Sequence, residues 1–248
     1  MYYFASDMHL GSPHGWAPSL ERERCLVRWL EAVAADARAI FLVGDVFDFW
    51  FEYKKVVPKG FTRFLGKLGE LADRGVEVHL FMGNHDMWMT GYLERECGLT
   101  VHRRGGIVEL YGKKLYVDHG DAIMARERPG SYLLGRCFHS PALRWLFSRL
   151  VHPTYALRLG LWWSACNRVR HTGRPHVFCG EAEPLVKYAR RAIARGEQID
   201  YFVFGHIHCA EDYDLGDGCR AIFTGDWLTG RDYAVLAPDG SMQLKRFT

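Results

Sequence analysis

Five short polar blocks constrain this chain more than any other feature, because each stands where a run of apolar residues stops. They are Asp7-Met8-His9, Gly44-Asp45-Val46-Phe47-Asp48, Gly83-Asn84-His85-Asp86, His119-Gly120 and Gly205-His206-Ile207-His208. The runs before them, Tyr2–Ala5, Ala39–Val43, 76–82, 114–118 and Tyr201–Phe204, read as strands. Taken singly, each block is an ordinary turn, since Gly, Asn and Asp are turn formers. Five such blocks, each following a strand, argue for one site assembled from strand ends.

Helix-period segments lie between the strands. Leu26, Val27, Leu30, Val33, Ala34 and Ala37 repeat at helical spacing, and so do Phe61, Phe64, Leu65, Leu68 and Leu71. Gly75 stands where a glycine ends the second helix. The runs 107–111 and 114–118 flank Gly112 and predict a hairpin. A helix is expected from Glu181 to Gly196, followed by strands near 201–204, 220–223, 233–236 and 242–247. Alternation of this kind predicts α/β layering.

The stretch from about 129 to 175 differs. Ser140-Pro141 and His152-Pro153 each place proline in the first turn of an expected helix. Between Glu127 and Glu181 there are eight arginines, no lysine and no acidic residue. The whole chain carries a net charge of only +3, so the remainder is net acidic. Trp145, Phe147, Tyr155, Trp162 and Trp163 fall in the same basic stretch. We read it as a helical insertion, or lid, within a single domain spanning 1–248. Its plainest alternative is a helical hairpin with arginines on its wet face.

With 48% apolar residues in 248, the chain can bury a large core without staples. Its seven cysteines form no CxxC and are odd in number, which predicts a reducing compartment. The opening Met-Tyr-Tyr-Phe-Ala-Ser-Asp reads as a first strand rather than an export signal. No apolar run reaches the ~18 residues of a membrane span. The charge is too small to argue for nucleic acid, and no obligate protein partner is evident.

Carboxylate, imidazole and amide oxygen are ligands for Mn, Fe, Zn and similar divalent ions. The blocks hold no thiol, which excludes a structural zinc finger. Asp7 and His9 are two residues apart, as are His206 and His208, so extended backbone would put each pair on one face.

Together these blocks resemble the signature of the calcineurin-like metallophosphoesterases, from residue 7 to residue 208. The resemblance implies an α/β (α+β) fold, a four-layer αββα sandwich of two mixed sheets, with two divalent metal ions at the strand ends. It assigns Asp7, His9, Asp45 and His208 to one metal. It assigns Asp45, Asn84, His119 and His206 to the other, with Asp45 bridging. Two such ions activate water and neutralise phosphoryl charge. Asn84, His85 and Asp86 become the catalytic candidates, with His85 as proton donor or phosphate clamp and Asp86 orienting its ring. Asp48 is expected to support the site. His14, Trp16 and Asp226 are possible rim residues, with core or surface roles equally open.

A narrower resemblance is to the bacterial UDP-2,3-diacylglucosamine diphosphatases of lipid A biosynthesis. It rests on chain length, Gly-Asp-x-Phe-Asp, Tyr-Gly-Lys-Lys before His119, the basic insertion, and Gly-Asp-Trp at 225–227. It implies manganese, a nucleotide-lipid substrate and peripheral attachment to the anionic inner face of the cytoplasmic membrane through the lid. Substrate contacts are implied for Asn84, His85, Ser164, Asn167, Arg168, Arg170 and His206. Many of these enzymes carry arginine where this chain has His85. That difference keeps open a phosphodiesterase or phosphatase acting on another substrate, since a poorer leaving group needs a proton donor. A non-catalytic scaffold is the remaining alternative, and the full donor set argues against it.

Overall fold

The computed structural model describes residues 1–126, 140–171 and 176–248, and the side chains of Pro141 and of 166–171 lie outside that description. Strand β1 (Tyr2–Ala5) leads through helix α1 (Ser19–Val33) to β2 (Ala39–Val43), and α2 (Thr62–Asp73) leads to β3 (Glu77–Phe81). Helix α3 (Tyr92–Cys97) then leads to β4 (Thr100–His102). Each crossover returns parallel, so β1, β2, β3 and β4 are neighbours in order. The apolar stripe of α1, with Leu26, Trp29, Leu30 and Val33, and that of α2, with Phe64, Leu68 and Leu71, are buried against this sheet.

The second sheet begins with the hairpin β5 (Gly106–Leu110) and β6 (Lys113–Asp118). Its turn, Tyr111-Gly112, has φ of 50° and 71°, the left-handed pair that suits two-residue hairpins. Helix α4 (Asp121–Arg126) follows, then α5 (Pro141–Leu150), α6 (Pro153–His171) and α7 (Pro184–Ala194). The chain finishes with β7 (Tyr201–Phe204), β8 (Ala210–Gly216), β9 (Cys219–Thr224), β10 (Asp232–Leu236) and β11 (Met242–Arg246).

The first sheet runs β11-β10-β1-β2-β3-β4 and the second β5-β6-β7-β9-β8. Both are mixed, since β10 and β11 pair antiparallel while β6, β7 and β9 pair parallel. Three apolar clusters fill the spaces between helices and first sheet, between the sheets, and between second sheet and helices. That is the four-layer αββα sandwich expected from the sequence.

Both proline-started helices form where expected, with the Ser140 side chain accepting from Leu143 N at the start of α5. Gly75 takes φ of 80° just past α2, and the third strand is shorter than the 76–82 run. Strands β4 and β8 and helices α3 and α4 have no counterpart in the sequence reading. β8 is an edge strand carrying Glu211, Asp212 and Asp214, and those charges hide its pairing from any apolar count. No helix among the described residues is long and apolar enough to cross a membrane.

Candidate metal centre

The loops that follow β1, β2, β3, β6, β7 and β9 meet at one edge of the sandwich. They are tied to one another by main-chain bonds. Asp7 N donates to Gly44 O at 3.1 Å, His9 N to Asp45 O at 3.0 Å, Gly205 N to His119 O at 3.2 Å and Trp227 N to Asp7 O at 3.1 Å.

The expectation of extended backbone at Asp7-x-His9 and His206-x-His208 is overturned. Asp7, His9, Asp45, His206 and His208 all take positive φ, between 43° and 69°. They are five of the nine non-glycine residues in that region among the described residues. Such backbone is costly for these side chains and persists where surrounding contacts enforce it. Turning, rather than extension, aims each pair inward.

The glycines of the blocks work by leaving room. A Cβ on Gly83 would fall 2.2 Å from Asp45 Oδ1, one on Gly44 2.5 Å from His119 Cγ, and one on Gly205 2.9 Å from Asp7 Oδ2. Asp45, His119 and Asp7 therefore occupy the space that larger residues would fill.

Three trios of donors each have their atoms within 4.8 Å of one another and could hold an ion: Asp7, His9 and His208; His9, Asp45 and His85; Asp45, His119 and His206. Asp45 Oδ2 lies 3.3 Å from His119 Nε2, 3.8 Å from His9 Nε2 and 3.9 Å from His85 Nε2. His208 Nε2 is 3.2 Å from Asp7 Oδ1, and its Nδ1 is 3.3 Å from Asp226 Oδ2. Asp226, an undecided rim residue in the sequence, thus orients a site imidazole. His119 Nδ1 lies 2.9 Å from Val43 O, which turns its Nε2 to the centre.

Asp7 Oδ1, Asn84 Oδ1 and His119 Nε2 are buried without a hydrogen bond. A carboxylate oxygen, an amide oxygen and an imidazole nitrogen, left bare together, fit divalent ions.

The charges follow the geometry. Burial alone would raise Asp7 and Asp45, but the imidazoles of His208 and His119 beside them hold both carboxyls well below their ordinary value. Burial opposes charge on His208, yet Asp7 and Asp226 carry it up to about 10. His206, buried and facing cationic His119, falls to about 3. Asp86 rises to about 7 through burial and the neighbouring Asp45.

One expected contact is absent. Asp86 does not orient the His85 ring: its carboxylate accepts from Gly83 N at 2.7 Å and Val46 N at 2.8 Å, which joins two site loops. His85 instead turns its Nδ1 to the Asp48 carbonyl at 2.8 Å. Asp48 Oδ1 is 3.4 Å from His9 Nδ1, the supporting place expected for it. Ser164 is fully buried and donates to Asp48 Oδ1 at 3.1 Å. The side chains of Asn167, Arg168 and Arg170 lie outside the described residues. Trp16 is 43% exposed, with Nε1 donating to Trp227 O and the Arg231 guanidinium 5.2 Å from its ring; His14 is exposed. Ser6 and Thr224, which nothing in the sequence marks, join Asp7 in a buried hydroxyl network, their oxygens 2.7 Å apart.

A family model described as calcineurin-like phosphoesterase matches residues 2–210. A UDP-2,3-diacylglucosamine hydrolase of Porphyromonas gingivalis is 42% identical, covering 94% of this chain and 92% of its own. A protein of the same name from Aeromonas salmonicida is 28% identical over 99% of this chain and 92% of its own. A solved phosphoesterase from E. coli covers 98% of this chain and 97% of its own at 14% identity, with a TM-score of 0.41.

Proposed function

This chain belongs to the calcineurin-like phosphoesterase family, and from that premise we propose that it hydrolyses UDP-2,3-diacylglucosamine to UMP and 2,3-diacylglucosamine 1-phosphate. The observation that carries the substrate is the 42% identity to a UDP-2,3-diacylglucosamine hydrolase over nearly the full length of both chains. The convergence of His and Asp donors at one centre supports the reaction class.

Asp7, His9, Asp45 and His208 would hold one divalent ion, and Asp45, Asn84, His119 and His206 the other; manganese is the ion we propose. When bound, the pair would lower the pKa of water and neutralise charge on the phosphoryl oxygens. The residues themselves perform the remaining work. Only two carboxylates stand among the seven donors, so the loaded site is cationic and draws in a diphosphate. Asp45 holds the two halves together through its 3.3 Å approach to His119 and 3.8 Å approach to His9. Water adds at the uridine-side phosphorus, the P–O–P bond breaks, and the bridging oxygen leaves with the lipid sugar phosphate. That leaving group is stable as an anion and needs no proton donor. His85, with Asn84, therefore contacts the phosphoryl oxygens rather than supplying an essential acid.

We read the chain as one domain whose 129–175 insertion receives acyl chains; its residues 129–139 and 172–175 lie outside the described residues, and α5 and α6 lie within them. On α5 and α6, Trp145, Leu150, Tyr155, Leu159 and Trp162 are more than half exposed. Arg144, Arg149 and Arg158 accompany them, with no acidic residue on either helix. Such a surface suits the acyl chains of a lipid substrate and the anionic inner face of the cytoplasmic membrane.

The test is hydrolysis of UDP-2,3-diacylglucosamine in detergent micelles with added Mn2+, with products identified by mass. UMP together with the lipid sugar 1-phosphate is expected. No turnover by protein that still cleaves a chromogenic phosphodiester would overturn the substrate and keep the reaction class.

A further inference from the structure

Helix α6 carries three small residues on one face, and the last of them reaches the metal centre. Ala156 is buried, Gly160 sits so close to Phe49 that a Cβ would fall 2.4 Å from its ring, and Ser164 is fully buried. Their spacing of four residues puts them in one line along the helix. That line ends at the His85 imidazole.

The hydrogen bonds there leave one arrangement. Ser164 Oγ donates its proton to Asp48 Oδ1 at 3.1 Å. The same oxygen lies 3.2 Å from His85 Nδ1, which also faces the Asp48 carbonyl at 2.8 Å. With its proton committed to the carboxylate, Ser164 can only accept from Nδ1, and a carbonyl can only accept. Nδ1 must therefore carry hydrogen, shared between two acceptors. The other ring nitrogen, Nε2, is the one that faces Asp45. Asp48 Oδ1 is meanwhile 3.4 Å from His9 Nδ1, so one hydroxyl on α6 bears on two imidazoles of the centre.

We propose that Ser164 is a positioning residue for the phosphoester hydrolysis, holding the His85 ring in its Nδ1–H form and making the seating of α6 a condition of the chemistry. This rests on the reading of the chain as a phosphoester hydrolase. It differs from a substrate contact in what it affects. A substrate contact on the lid serves the lipid alone, whereas the orientation of His85 serves any phosphoester that reaches the metals.

The experiment compares wild-type and Ser164→Ala full-length protein, both loaded with Mn2+, on bis(p-nitrophenyl) phosphate and on UDP-2,3-diacylglucosamine in micelles. The expected result is a fall in kcat of about 10–100-fold on both substrates, with KM and bound metal unchanged. A rise in KM for the lipid alone would make Ser164 a substrate contact and overturn the proposal. Unchanged kcat on both substrates would overturn it as well. Should the alanine variant fail to fold, Ser164→Cys, close in shape and weaker in hydrogen bonding, is read by the same comparison. A wild type active on the diester and inert on the lipid would overturn the substrate reading instead, and the diester then decides the role of Ser164.

Discussion

Asp45 Oδ2 stands 3.3 Å from His119 Nε2, a carboxylate and an imidazole from different sheets held together in the protein interior. Neither residue is placed by its own strand: Asp45 takes φ of 51° past β2, and His119 is aimed by its bond to Val43 O. The pair is the hinge of the proposed two-ion centre. Asp45→Asn keeps the shape and removes the charge. Turnover should fall by about 10³-fold or more while far-UV circular dichroism stays native. Bound metal, measured by elemental analysis, should drop from two ions per chain to one or fewer. Two ions bound and near-normal turnover would remove Asp45 from the bridging place.

The room left by Gly83 makes a sharper test, because it changes no donor. A methyl there would fall 2.2 Å from Asp45 Oδ1, and this oxygen already accepts from His85 N at 2.9 Å. Gly83→Ala should push Asp45 off its bond, cost about 1–3 kcal/mol of stability by overpacking, and weaken metal binding. Gly66 is the control. It sits in α2, is exposed, and a Cβ there would meet nothing within 4 Å. Gly66→Ala should stabilise by about 0.5–1 kcal/mol in chemical denaturation and leave turnover unchanged. Equal effects from the two substitutions would mean that Gly83 is ordinary turn glycine.

What could be read from the sequence here divides along physical lines. The donor types at the strand ends were legible, since a polar block closing an apolar run stands out without knowledge of the backbone. The proline-led helices α5 and α6 were legible for a similar reason, each marked by its first turn. The left-handed backbone of Asp7 and His9 was not, because Asp and His enter that region more often than most residues yet still adopt it in only a small minority of positions. Nor were the partners of Asp86 and Ser164, which are fixed by loops 40 and 116 residues away in sequence. Charged β8 was hidden because an edge strand pairs through its main chain whatever its side chains.

Metal and protons compete for the same atoms, and the sign of the competition follows from the imidazoles. His208 is carried up to about 10, and His119 and His9 are also raised, each against burial and by the carboxylates beside it. In the metal-free protein these groups stabilise the fold fully below their unfolded value of about 6.5, and that stabilisation is lost as pH rises through the folded values. Asp7 and Asp45 are depressed, so their contribution is present above an unfolded value of about 3.9 and lost in acid. Metal-free protein should therefore weaken as pH rises above about 6.5, while buried His206, held at about 3, and His85, also lowered, remove stability as pH falls below that value. Ligation needs bare imidazole, so metal affinity rises with pH. The gap in Tm between Mn2+-loaded and chelator-treated protein should widen from pH 6 to pH 8.5. Addition of Mn2+ at pH 7.5 in weak buffer should release more than one proton per chain. A gap that narrows, or binding without proton release, would contradict this charge arrangement.

The exposed face of the lid can be separated from the face that seats it. Deleting 145–163 would remove Trp145 and Trp162 together with Ala156 and Gly160, and so would also disturb the packing on Phe49. Tyr155→Ser with Trp162→Ser is cleaner. Both rings are more than 60% exposed, so their loss opens no cavity in the core. Hydrolysis of bis(p-nitrophenyl) phosphate should stay within about twofold of wild type. KM for the micellar nucleotide lipid should rise about tenfold or more, the scale of losing two partly buried aromatic contacts with acyl chains. Co-sedimentation with vesicles containing anionic lipid should weaken too, and residual binding should fall as salt is raised, because Arg144, Arg149 and Arg158 remain. Unaltered KM and vesicle binding would confine α6 to the seating role of its buried face. A parallel loss on the small diester would show that the aromatic face itself supports the centre.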